Sequence, residues 1–223
     1  MTAADIVKAL GETLGRTLIS TFLAYVIGLP LGVLLRVSGK DGIRPNRPLN
    51  LILGLLVNFL RSIPCLILTV ILIPLNRAIV GYGSGRWYAM IIPLVFSTFA
   101  YVARIVEQSL SEVDPGEIEA VRSLGGNNWQ IISKVLLPEA RPSLLRGLAV
   151  TLVNVIGYTS FAYNIGAGGL IADIWSFYTR HTGDFLVQAR FWVRIILVVV
   201  FVQVVQELGL FLARKFDKRR KTK

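Results

Sequence analysis

Residues Glu119–Pro138 read EAVRSLGGNNWQIISKVLLP, a polar stretch with adjacent glycines near its centre, set between strongly apolar segments. Just upstream, Asp114-Pro115 supplies a side-chain acceptor for an N-cap and a ring that fixes φ at the first helical position, which predicts a helix start there. Glu117 and Glu119 fall near that helix's positive end, where anions are favoured. Ile118, Val121 and Leu124 recur every three residues and predict one apolar ridge. Gly125 or Gly126 can take the left-handed conformation that ends the helix. Asn127 or Asn128 then caps a second helix, Trp129 to Leu137, which Pro138 is expected to stop. Two short helices, a tight glycine turn, an apolar ridge and exposed acids form a hairpin. On one face of a membrane protein, such a hairpin suits a soluble partner. An ordinary loop packing on its own spans fits the same pattern.

The rest of the chain is apolar enough to lie in a membrane. Of 223 residues 54% are hydrophobic, and the mean hydropathy is +0.63, well above the usual soluble domain. A span needs about 20 predominantly apolar residues. One runs from Thr17 to Leu35, after a short amphipathic helix within Met1–Arg16. A second lies in Pro48–Leu75, too long for a simple span and broken by Arg61 and Pro64. The others are Trp87–Ala103, Leu144–Ile165 and Phe191–Ala213. The expected fold is all-α, integral to the membrane, with five transmembrane helices in one domain covering 1–223.

Lysine and arginine set the orientation. Arg36, Lys40, Arg44 and Arg47 follow the first span. Seven of the 24 basic residues fall in the tail 214–223, opposed only by Asp217. These regions lie on one side together with the loop at about 107–142, so the N-terminus is expected outside and the C-terminus cytoplasmic. The basic tail also suits contact with anionic membrane lipid.

Several functions are excluded or disfavoured. The net charge of +11 suggests nucleic acid, yet Glu107–Glu139 holds six acids against Arg122 and Lys134, the wrong sign for a helix-turn-helix reader. No nucleic-acid partner is expected. No Walker A loop is present, and Gly166-Ala-Gly168-Gly169 is too weak a pattern for a dinucleotide loop. There is no metal cluster and no catalytic constellation. His181 reads as an outside loop residue, and Cys65 as a small buried hydrophobe. The N-terminus lacks the pattern of a cleavable signal peptide.

The polar residues inside the spans are the candidate pathway. Asn58, Arg61, Ser62 and Pro64 sit at the break in the second apolar run. Intramembrane arginine is costly and faces a cavity, a partner or an interface. Snorkelling to the headgroups is the plainer alternative. In the fourth span, Asn154 and Tyr158 share a helix face, and Asn164 follows. The bland reading of these is helix–helix glue.

The hairpin resembles the loop by which bacterial ABC importer permeases dock on their ATPase. That loop reads Glu-Ala-Ala, three residues, Gly, nine residues, Ile, one residue, Leu-Pro. Glu119, Ala120, Gly125, Leu137 and Pro138 match, with Val121 and Val135 as small replacements. The whole chain, the Arg61-Ser-Ile-Pro64 motif especially, is similar to the permeases of methionine importers. The resemblance implies a type I permease fold in a bacterial cell membrane. It implies a complex with a second permease copy, two ATPase subunits and an extracytoplasmic substrate-binding protein. Glu119, Ala120, Val121, Leu124 and Gly125 then carry the coupling to the ATPase. This chain binds no cofactor of its own, since ATP and magnesium belong to the partner. The solute is expected to be an amino acid, methionine first. The outer segment 171–184, with Trp175, Phe177, Tyr178, Arg180 and His181, departs from the family's pattern. The alternatives are a stand-alone secondary transporter or channel-like protein, which needs an acidic coupling-ion site at membrane depth, and a membrane scaffold.

Overall fold

The computed structural model describes residues 3–180 and 189–216, all of whose regular elements are helical. The first helix, α1 (Ala3–Ser38), is 36 residues long, about 54 Å at 1.5 Å per residue. The expected amphipathic helix and first span are therefore one element. Gly11 and Gly15 do not end it, and Arg16, expected at the boundary between them, is fully buried. Gly28 and Gly32 face α5 (Ile91–Ser111). A Cβ at Gly28 would meet the Phe99 carbonyl at 2.6 Å, and one at Gly32 the Ala103 carbonyl at 2.5 Å. Small residues let the two backbones touch, as is usual for helices packed in lipid.

The second apolar run is broken as expected. α2 (Arg47–Ser62) is capped by Asn46, whose side chain accepts from the Leu49 N–H. It ends at Ile63, and α3 (Cys65–Ile71) leaves Pro64 at 91° to it. α4 (Ile73–Val80) follows and stops at left-handed Gly81. A 3-10 turn, Trp87–Met90, leads into α5, which runs eight residues past the expected end at Ala103. α5 lies at the centre of the bundle, against α1, α2, α3 and α9 (Arg141–Tyr158).

Between α5 and α9 come α6 (Pro115–Ser123), α7 (Asn128–Ile131), a π turn over Ile132–Leu136, and α8 (Leu137–Glu139). Pro138 does not stop the second hairpin helix, contrary to expectation. The π turn widens the ladder, so that the Leu137 N–H reaches the Ile132 carbonyl, and the helical path continues through the proline to Ala140. Beyond α9, a 3-10 segment Thr159–Ile165, α10 (Leu170–Arg180) and α11 (Ala189–Phe216) complete the order. α11 packs on α9 and α10 at the outside of the bundle. Among the described residues, four helices are long and apolar enough to cross a membrane, and the bent α2–α3 pair makes up to five. His181 and residues 217–223 of the basic tail lie outside the described residues.

Two apolar clusters hold the bundle. One joins Leu35, Val106 and Leu110 to Ile118, Ile131 and Leu136, fixing the hairpin to α1 and α5. The other joins Cys65, Met90 and Leu94 to Val155 and Ile165.

Candidate functional site

The hairpin is built as its sequence dictates. The Asp114 Oδ1 accepts from the Gly116 N–H at 2.7 Å and opens α6. Gly125 takes φ +80°, and the Gly126 N–H donates to the Val121 carbonyl at 2.9 Å, closing the helix. Asn127 and Gln130 exchange side-chain-to-backbone bonds of 2.8 Å each, a reciprocal capping box that starts α7.

The expected ridge is divided. Ile118 is buried and Val121 half-buried against the core, whereas Leu124 is 88% exposed. Trp129, at the start of α7, is 73% exposed. Glu119, Ala120 and Gly125 are exposed as well. The tip of the hairpin thus presents two large apolar side chains, with Glu119 exposed one helix turn and more before them, the makings of a docking face. Arg122 Nη2 donates to the Ile43 carbonyl at 3.0 Å, tying α6 to the loop between α1 and α2.

The second group of candidates gathers at the α2–α3 break. Asn58 Oδ1 accepts from Arg104 Nη2 at 2.9 Å, and the same nitrogen reaches the Gly54 carbonyl at 3.2 Å. Arg104 Nη1 pairs with Glu107 at 2.6 Å. Ser62 Oγ donates to the Asn58 carbonyl, an intrahelical bond one turn back. Arg61 is exposed, its guanidinium 5.9 Å from the centre of the Tyr101 ring. Tyr158 on α9 packs against the apolar cluster that contains Cys65. Asn154 is half-buried one turn before Tyr158, and Asn164 is exposed in the 3-10 segment. Among the described residues, no hydrogen bond joins either asparagine to the Arg61 group. Arg104, Glu107 and Tyr101 were not anticipated. Arg104 falls just past the expected end of a span, yet it sits within α5, where Asn58 and Gly54 of α2 and Glu107 satisfy it.

A third constellation was also not anticipated. Arg16 Nε donates to the Glu12 carbonyl at 3.0 Å and Nη2 to the Ala167 carbonyl at 2.9 Å. Thr13 Oγ1 accepts from the Leu170 N–H at 2.9 Å. The glycines of Gly166-Ala-Gly168-Gly169 all have positive φ. A Cβ at Gly169 would meet Arg16 Nη2 at 2.8 Å. The motif is a turn held close to α1.

Residues 28–221 match the family described as "Binding-protein-dependent transport system inner membrane component". The chain belongs to this family. Like other inner membrane components, the permease is a multi-pass membrane protein. It is 39% identical over 214 residues to the probable D-methionine transport system permease protein MetI of Vibrio cholerae, covering 96% of this chain and 93% of that one. It is 44% identical over 155 residues to the D-methionine transport system permease protein MetI of Escherichia coli K12, covering 70% and 71%. Among solved structures, the permease superposes on a chain of an inward-facing conformation of the MetNI methionine ABC transporter. The TM-score is 0.90 and the identity 36%, over 98% of this chain and 100% of that one. An amino acid ABC transporter with histidines shares the fold, with a TM-score of 0.70, 21% identity and coverage of 96% and 93%.

Proposed function

We propose that this permease forms the transmembrane pathway of an ABC importer for methionine, working as a pair with two copies of a separate ATPase and an external binding protein. The observation that carries the reading is the hairpin tip, where Leu124 and Trp129 stand exposed beside left-handed Gly125. The basic loops support an outside N-terminus and a cytoplasmic C-terminus, with the hairpin in the cytoplasm. Glu119, Ala120, Val121, Leu124 and Gly125 dock on the ATPase, which alone holds ATP and magnesium.

The coupling follows from the packing. ATP binding closes the ATPases and draws the two hairpins together. Ile118, Ile131 and Leu136 transmit that movement to α1 and α5, and Arg122 to the loop that leads into α2. The α2–α3 break, with Asn58, Arg61, Ser62 and Pro64, and the face of α9 with Asn154, Tyr158 and then Asn164 line the path between the two copies. Five spans enclose too little for a private pathway, so a path at a two-fold interface is physically reasonable.

The test is a pull-down of the tagged permease from native membranes, with ATP hydrolysis assayed on the eluate, for wild type beside Gly125→Glu. Open space surrounds a Cβ at Gly125, so the glutamate strains the turn by about 1 kcal/mol while placing a charge on the docking face. A co-eluting ATPase that the variant loses is the expected result. An eluate without ATPase activity in either sample refutes the importer reading.

A further inference from the structure

We propose that Arg61 receives the carboxylate of the transported solute at the middle of the membrane; the step rests on the importer reading above. α2 and α5 bring two guanidinium groups to membrane depth, and the chain accounts for only one of them. Arg104 is held by Asn58, Gly54 and Glu107. Arg61 makes no hydrogen bond or ion pair among the described residues, and its guanidinium lies over the Tyr101 ring, 5.9 Å from the ring centre.

The position of that contact along both helices argues against snorkelling. Tyr101 is ten positions from each end of α5, about 15 Å in either direction at 1.5 Å per residue. That is farther than an arginine side chain reaches to find headgroups. Along α2, Arg61 is 14 positions from Arg47, about 21 Å. An exposed cation at such depth is tolerated where it faces water or an anion rather than lipid. Arg61 stands at the last turn of α2, beside the 91° break that opens the helix pair.

The chemistry of the space selects the occupant. A guanidinium offers five donors in a planar fork, and a carboxylate accepts two of them side by side. The aromatic face of Tyr101 lies at the outer range of a cation–π contact, 5.9 Å from ring centre to guanidinium, and leaves the donors unpaired. Four positions on from Arg61, Cys65 opens α3 and joins Met90, Leu94 and Val155 in an apolar wall, with Tyr158 packed against it. A charge that grips a carboxylate beside an apolar wall fits an amino acid with an apolar side chain. A solute without a carboxylate gains nothing from this arrangement.

The experiment replaces the charge and then restores it. Arg61→Cys is made with the rest of the permease unchanged, and the full complex with ATPase and binding protein is reconstituted in proteoliposomes. Uptake of radiolabelled methionine is measured before and after treatment with methanethiosulfonates that leave a cationic aminoethyl, an anionic sulfonatoethyl or a neutral methyl adduct. The wild-type complex, whose Cys65 is buried, is treated in parallel. The expected result is uptake about tenfold slower or worse in Arg61→Cys, recovery with the cationic adduct, and no recovery with the other two. Uptake at the wild-type rate, an introduced thiol that no water-soluble reagent labels, or equal recovery with the methyl adduct overturns the proposal. So does a permease pair that comes apart in Arg61→Cys, since Arg61 then serves an ion pair between the copies. A wild-type complex that imports no methionine sinks the importer reading itself. Absent rescue in Arg61→Cys beside an importing wild type sinks only the role of Arg61.

Discussion

Arg16 Nη2 donates to the Ala167 carbonyl at 2.9 Å, across 151 positions of chain. The side chain is completely buried, with the Glu12 carboxylate 3.9 Å away. Together with the bond between Thr13 and Leu170, this clasp fixes the turn of α1 around Thr13 and Arg16 to the glycine motif that launches α10. Removing the guanidinium leaves the Ala167 carbonyl without its donor in an apolar interior. Arg16→Ala is expected to destabilise the permease by about 2–3 kcal/mol. A lysine cannot span the Glu12 and Ala167 carbonyls with one planar fork, so Arg16→Lys should recover less than half of that. Thermal unfolding of the purified complex in one detergent checks both, and a midpoint unmoved in Arg16→Ala contradicts the clasp.

The glycines of the motif are expected to differ in tolerance from other left-handed glycines. Gly85 has φ +77° with nothing within 4 Å of a built Cβ. Gly85→Ala should then cost only the backbone strain, about 1 kcal/mol. Gly169 has φ +96°, and its Cβ would meet Arg16 Nη2 at 2.8 Å and Thr13 Oγ1 at 2.9 Å. Gly169→Ala should cost the strain plus about 1–3 kcal/mol of overpacking and loosen the clasp. Equal stability losses in the two variants would show that the close approach is unimportant.

Hydropathy, proline and capping residues make the spans, the α2–α3 break and the start of α6 legible in the sequence. These are local matters: Asp114-Pro115 needs nothing distant to begin a helix, and Pro64 removes a backbone donor from its helix whatever surrounds it. What the sequence hides depends on partners far along the chain. Arg16 and Arg104 look like charges that bound spans, because a charge in lipid is costly until something satisfies it. Their partners, Ala167 and Asn58, lie 151 and 46 positions away. Pro138 looks like a stop when judged on an ideal α-helix, and a π turn absorbs it instead. The ridge at Ile118, Val121 and Leu124 has the right period, but packing uses only its first part and leaves Leu124 outside.

That exposed leucine allows a clean test of the docking face. Leu124 packs on little in its own subunit, being 88% exposed. Leu124→Asp should leave the stability of the isolated permease within about 0.5 kcal/mol. Burying a leucine at an interface contributes about 1.5–3 kcal/mol, so its replacement should weaken ATPase association by about tenfold or more. Titrating purified ATPase onto the immobilised permease measures this. An unchanged affinity places the docking face elsewhere.

The two arginines at membrane depth should behave oppositely in stability measurements. Arg104 ties α5 to α2 through Asn58 and Gly54, with Glu107 balancing its charge. In a double-mutant cycle of Arg104→Ala and Asn58→Ala, the coupling energy should fall at about 0.6–1.7 kcal/mol, the range of side-chain hydrogen bonds between helices in lipid. Arg61 has no such bond, and its distance of 5.9 Å from the Tyr101 ring centre is near the limit of a cation–π contact. Arg61→Ala should therefore change the unfolding free energy by no more than about 1 kcal/mol, and a cycle of Arg61→Ala with Asn58→Ala should show no coupling. If the order is reversed, with Arg61 the more costly to remove, then Arg61 is a structural residue and the free guanidinium at mid-membrane is held by a contact that forms only in the assembled pair.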